Sequence, residues 1–102
     1  MTTFFISRHP GAVEWIKQQS IHIDRWVSHL HTEDVNAGDT VIGTLPIHLA
    51  FEVCQRGARY LALEISVPEH KRGQELNPED LRGFSCKIEE YVISKPQGHH
   101  RQ

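Results

Sequence analysis

Phe4-Phe5-Ile6-Ser7-Arg8-His9-Pro10-Gly11 and Thr40-Val41-Ile42-Gly43-Thr44-Leu45-Pro46-Ile47-His48 decide the fold. Each is a short apolar strand running into a polar loop that opens a helix. In an open α/β sheet both loops emerge at the carboxyl ends of the strands, the edge where such folds bind ligands. Each loop holds a histidine, a hydroxyl and a proline. Together they can gather a cation, an imidazole and backbone N–H groups around one phosphate, because a helix N-terminus is already an anion site.

Outward from these segments, aromatic and branched content makes Thr3 to Ser7 a strand, and Pro10 starts a helix where its missing N–H costs little. Val13, Ile16 and Lys17, with Trp15 beside them, give that helix its stripe to about Gln19. Ile21 to Val27 alternates, which predicts a strand near a sheet edge. His31 to Asp39 is polar and ends in the turn signal Ala37-Gly38-Asp39. Thr40 to Gly43 has the apolar character of a strand buried on both faces.

After Pro46 the period changes. Ile47, Ala50 and Cys54, beside Leu49 and Val53, form a helical stripe that stops at Gly57. Arg59 to Val67 reads as a strand, and Pro68 to Glu75 as a charged, mobile loop. Asn77-Pro78-Glu79-Asp80 offers an N-cap, a proline at the first helical position and two early acids. A last helix is expected there, burying Leu81, Phe84, Ile88 and Tyr91 or Val92. The expected fold is therefore α/β, a Rossmann-like βαββαβα three-layer domain with a mostly parallel sheet. It should occupy residues 1–95, with 96–102 as a disordered tail.

Composition narrows the function. The chain has 102 residues, 38% of them hydrophobic, enough for one domain with a real core. A net charge of −2 disfavours non-specific DNA binding but leaves room for a small anion in a local basic pocket. With no apolar run of membrane-spanning length and no leader, the reading is a soluble, cytoplasmic protein without a membrane role. Cys54 and Cys86 fall on apolar faces of predicted helices without CxxC spacing, as reduced buried thiols do. His29 and His31 form an HxH pair beside Glu33 and Asp34, but no third ligand follows at diagnostic spacing. No metal or other cofactor is expected.

The runs Phe5-Ile6-Ser7-Arg8-His9-Pro10-Gly11-Ala12, Gly38-Asp39-Thr40-Val41-Ile42-Gly43-Thr44-Leu45-Pro46 and Arg56-Gly57-Ala58-Arg59-Tyr60-Leu61 resemble a small CRISPR-associated accessory family, Csx-sixteen, over about residues 3–92. The resemblance implies a role beside type III CRISPR systems, whose effector makes cyclic oligoadenylate as a second messenger. It implies a ring nuclease that cuts cyclic tetra-adenylate and so switches the antiviral response off.

Such a reaction needs no metal in principle, because the ribose 2′-hydroxyl can attack the neighbouring phosphorus in line and leave a 2′,3′-cyclic phosphate. The protein must align the groups, stabilise phosphoryl charge and move protons. Arg8 suits the charge with its fork of donors. His9 and His48 are the candidate general base and acid, since an imidazole titrates at about 6.5. Ser7, Pro10, Gly11, Thr44, Leu45 and Pro46 would form the substrate cradle, and Arg72 beside Lys71 would close over it. His48 could instead merely cap or pack its helix, Glu14 most simply balances a helix dipole, and Trp26 is either a packing residue or a platform for adenine.

A cyclic tetra-adenylate has two-fold symmetry and exceeds what one such domain can enclose, so a homodimer with the ligand on its axis is expected. Two alternatives use the same residues differently. A non-catalytic sponge would bind the cyclic nucleotide without aligning it for attack. An interaction subunit would bind no small ligand, leaving Arg8 and Thr44 replaceable.

Overall fold

The computed structural model describes residues 1–8, 10–66 and 85–96. Along the chain come β1 (Thr3–Ile6), α1 (Pro10–Lys17), β2 (Arg25–Val27), a 3-10 turn (Thr32–Asp34), β3 (Thr40–Gly43), α2 (Ile47–Gln55), β4 (Arg59–Ser66) and β5 (Ser85–Tyr91). The strands form one sheet in the order β2-β1-β3-β4-β5. The first four run parallel, and β5 is antiparallel to β4. The α/β class and the mostly parallel sheet are as expected. The strand order is the 2-1-3-4-5 arrangement of doubly wound sheets, not the 3-2-1-4-5-6 order of the Rossmann fold.

Alternation along β1 builds a core on each face of the sheet. Phe4, Ile6 and Val41 meet Ala50 and Val53 of α2, with Val35 and Tyr60. Phe5, Ile42 and Leu63 meet Ala12 and Ile16 of α1, with Ile23. Phe4 and Phe5 are 2% and 1% exposed, and burying a side chain of that size stabilises by about 1.5–3 kcal/mol. Among the described residues, no helix is long and apolar enough to cross a membrane.

Buried Asp39 locks the start of the sheet. Its carboxylate accepts hydrogen bonds from the backbone N–H of Thr2 at 2.8 Å and of Asn36 at 2.9 Å. Its own C=O accepts from Arg59 N–H at 2.8 Å. One residue thereby ties the entries of β1, β3 and β4 together. The N–H bonds from Asn36 and Thr2 hold its carboxyl below the ordinary value of 3.8. Glycine is required at the other end of β3. Gly43 has φ +152°, and a Cβ there would stand 2.5 Å from the carbonyl oxygen of Ile6.

Two expected elements are corrected. The second strand starts at Arg25 instead of Ile21, because the Asp24 carboxylate takes the Thr3 N–H at 2.9 Å and is itself bonded to His22. A side chain there supplies what a strand neighbour would, so the regular ladder begins only after Asp24. The expected last helix is also overturned in its described part, since Ser85–Tyr91 is a strand paired with β4 from Ser66↔Ser85 to Tyr60↔Tyr91. Cys86 therefore lies on a strand, whereas Cys54 lies on α2 as a half-buried free thiol.

Within β5 the residues also obey a period of two. Ile88 lies opposite Leu63 and packs on the α1-side core, while Lys87 lies opposite Glu64 on the other face at 3.6 Å. The Arg59 guanidinium grips Glu90 with two bonds, at 3.0 and 3.1 Å, and lowers its carboxyl pKa. Tyr91 donates its hydroxyl to Glu64, which raises the phenol's pKa. The expected loop at 68–75, the helix start at 77–80 and tail residues 97–102 lie outside the described residues.

Gly43→Ala should destabilise the protein by about 3 kcal/mol in urea unfolding, because both the positive φ and the Ile6 carbonyl resist a Cβ. Asp39→Ala should cost about 3 kcal/mol at neutral pH, for two lost hydrogen bonds to a carboxylate and two N–H groups left unpaired. Because folding depresses this carboxyl, its stabilisation is complete above 3.8 and is lost as pH falls through the folded value. Urea titrations of the two proteins should accordingly differ by a constant amount near neutrality and converge in acid.

Candidate functional site

The connection through α1 leads from β1 to β2 on one side of it, whereas β3 pairs on its other side and leads through α2 to β4. The topological switch point therefore lies between β1 and β3. Their paired ends, Ile6↔Gly43, release the Ser7-Arg8 and Thr44-Leu45-Pro46 loops side by side. A cavity of about 400 Å³ opens between them, lined by Ser7, Arg8, Thr44, Leu45 and Pro46. Ser28 and His29, from the loop after β2, complete its polar wall. Ala12 and Leu49 contribute one apolar side chain from each helix. Among the described residues lining it there is a guanidinium and an imidazole but no carboxylate, a charge pattern that suits an anion.

The donors divide into those used in the fold and those facing the cavity. The Thr44 hydroxyl donates to the Leu63 C=O at 3.0 Å, and Leu45 N–H donates to the Tyr60 hydroxyl at 3.3 Å. These bonds pin the second loop to β4 and position Pro46 at the start of α2. Among the described residues no side chain caps α2, whose positive dipole end lies at Pro46 on the cavity wall, while the Leu49 N–H is already bonded to Pro46 C=O at 3.0 Å. Arg8 is exposed and brings a positive charge to the cavity, while Ser7 N–H is bonded to Val27 C=O at 3.1 Å and holds the first loop against β2. Pro10 is the first residue of α1, and Gly11 is buried in its first turn.

The structure thus brings together Ser7, Arg8, Thr44, Leu45 and Pro46 of the expected residues. It separates His48 from them. That imidazole is exposed and lines a different groove with Ile47, Phe51, Ile93 and Lys95, where the Lys95 ammonium lies 4.7 Å from the Phe51 ring centre. His9 and Arg72 lie outside the described residues.

Among the described residues, His29 is the histidine that shares the cavity with Arg8, and sequence reasoning places it only in a metal-type pair with His31. Its signal was available, because the loop after any parallel strand reaches the same sheet edge. Among the described residues, no group of three or more His, Cys, Asp or Glu side chains is arranged around a common point.

A second groove, of about 430 Å³, lies on the α1 face next to the first and shares Ser7 and Ser28 with it. Its floor is Phe5, and its walls are Trp26 on β2 and Val13 and Lys17 on α1. Trp26 meets Phe5 edge to face, with ring centres 5.6 Å apart and planes at 65°. The Lys17 ammonium lies 5.6 Å from the Trp26 ring centre.

No curated protein and no solved structure matches the chain. A family model does match, over residues 4–94, a span that takes in all of β1 but Thr3, both switch-point loops, the Trp26 groove and β5. By that match the chain belongs to the family described as "Putative CRISPR-associated protein (Cas_VVA1548)".

Proposed function

We propose that this protein binds a cyclic oligoadenylate, with cyclic tetra-adenylate as the preferred ring, in the cavity between β1 and β3 and opens it as a ring nuclease. The observation that carries the reading is that Arg8, His29 and Pro46 at the start of α2 line one cavity at the switch point, with no carboxylate among its described lining residues. Membership of a CRISPR-associated family is consistent with the reading, and the substrate class is what the resemblance to Csx-sixteen implies.

In this mechanism a ribose 2′-oxygen attacks the adjacent phosphorus, the O2′–P bond forms and the P–O5′ bond breaks. The products are a linear oligoadenylate ending in a 2′,3′-cyclic phosphate and a free 5′-hydroxyl. Arg8, with the positive dipole end of α2 at Pro46, balances the charge that grows on the phosphoryl oxygens. His29 exchanges protons with the attacking or leaving oxygen. Because nucleophile and phosphorus belong to one substrate, alignment replaces any need for an activated water. His9 follows Arg8 directly in the chain and is the second imidazole to substitute, with His48 as the comparison. A second copy of the chain would present the same cavity to the other half of the ring, and the reaction would take place in the cytoplasm.

Incubation of purified protein with cyclic tetra-adenylate and EDTA, followed by chromatography and mass spectrometry, should yield linear adenylates ending in 2′,3′-cyclic phosphate. Arg8→Ala should slow the reaction by about a hundredfold or more. His29→Ala should slow it far more than His48→Ala, whose side chain lines the other groove. Intact ligand that co-elutes with the protein would make it a sponge. Intact ligand that stays free would overturn the cyclic-nucleotide reading.

A further inference from the structure

We infer that the groove between Trp26 and α1 is a stacking subsite for a purine base whose phosphate occupies the Arg8 cavity. This inference rests on the proposed reading of that cavity as a phosphate site. Phe4 and Phe5 of the same sheet are 2% and 1% exposed, whereas Trp26 is 44% exposed although Phe5 buttresses it edge to face. An indole held rigidly and yet left open offers apolar area at little ordering cost to whatever covers it.

What the groove presents is specific to a flat, electron-rich ring with polar edges. Val13 and Phe5 supply apolar contact, Trp26 a π-face, and Ser7 and Ser28 hydroxyls at the boundary with the Arg8 cavity. The Lys17 ammonium lies 5.6 Å from the indole centre, and its side chain is 54% exposed. That ammonium also lies 3.7 Å from the Glu14 carboxylate, which holds it beside the groove wall. The groove's volume of about 430 Å³ leaves room for the two-ring base, and a purine covers more of the indole than a pyrimidine. Because Ser7 and Ser28 line both spaces, one nucleotide can span them without crossing a ridge.

The test is titration of uniformly ¹⁵N-labelled protein with adenosine, AMP and ribose 5-phosphate, observing the indole Nε1–H resonances. Trp26→Phe identifies which of the two indole signals belongs to Trp26. Adenosine and AMP should move that signal while leaving Trp15's in place, and ribose 5-phosphate should not move it. Trp26→Ala should weaken AMP binding about five- to a hundredfold, the range for loss of one base–aromatic stack, with ribose 5-phosphate affinity unchanged. Trp26→Phe should recover most of the loss. Arg8→Ala should weaken both phosphate-bearing ligands.

Equal affinity for AMP and ribose 5-phosphate, with both dependent on Arg8, would overturn the base subsite and leave the phosphate cavity standing. A Trp26 shift with adenosine in a protein that binds no ribose 5-phosphate would keep the base subsite and remove the phosphate reading. A Trp26 signal that no adenine ligand moves overturns the inference, and this titration of the unsubstituted protein decides it even where Trp26→Ala fails to fold.

Discussion

The close approach of Gly43 to the carbonyl of Ile6 is the constraint on which the site depends. β1 and β3 end in register there, and the missing Cβ lets the two backbones leave the sheet side by side. A bulkier residue would splay the strand ends and part the Ser7-Arg8 loop from the Thr44-Pro46 loop. The cavity is therefore a product of backbone geometry before it is a product of side-chain chemistry. At the opposite end Asp39 performs the complementary task, fixing where β1, β3 and β4 begin. With one end of the sheet locked and the other allowed to converge, the carboxyl edge has a defined shape on which Arg8 and His29 can act.

Polar residues near a site need not be ligands. Thr44 and Leu45 sit on the cavity wall, yet the hydroxyl of one and the N–H of the other are directed at β4. They hold the loop that brings α2 to the cavity. The distinction matters for reading sequences, since a hydroxyl beside a proline at a strand end looks like a phosphate donor wherever the folded chain sends its proton.

Much of this architecture was legible because β1, β3 and the two helices are decided by their own residues. Phe4 to Ile6 and Val41 to Ile42 are apolar on both faces, and Pro10, Pro46 and Gly57 punctuate the helices. The sequence makes β2 too long because Ile21 and Ile23 alternate with His22 and Asp24, while the bond from Thr3 N–H to the Asp24 side chain is a long-range fact. β5 was missed for a related reason. Ile88 and Tyr91 fit a helical stripe equally well, and only the partners on β4, among them Glu64 opposite Lys87 and Leu63 opposite Ile88, select the strand. The cavity follows the same rule: Arg8 reaches it from its own loop, whereas His29 needs the sheet order to bring a third strand end there.

Phe4 and Phe5 are neighbours in the chain and anchor opposite cores. Four residues of β1 thus serve as a common axle for both layers of helix, with one hydrophobic cluster on each face of the strand. Such an arrangement leaves little room for a half-formed state: loosening either helix exposes one side of the strand that the other helix needs. The carboxyl-edge loops hang from that axle, so their relative placement is as durable as the whole domain's cooperativity.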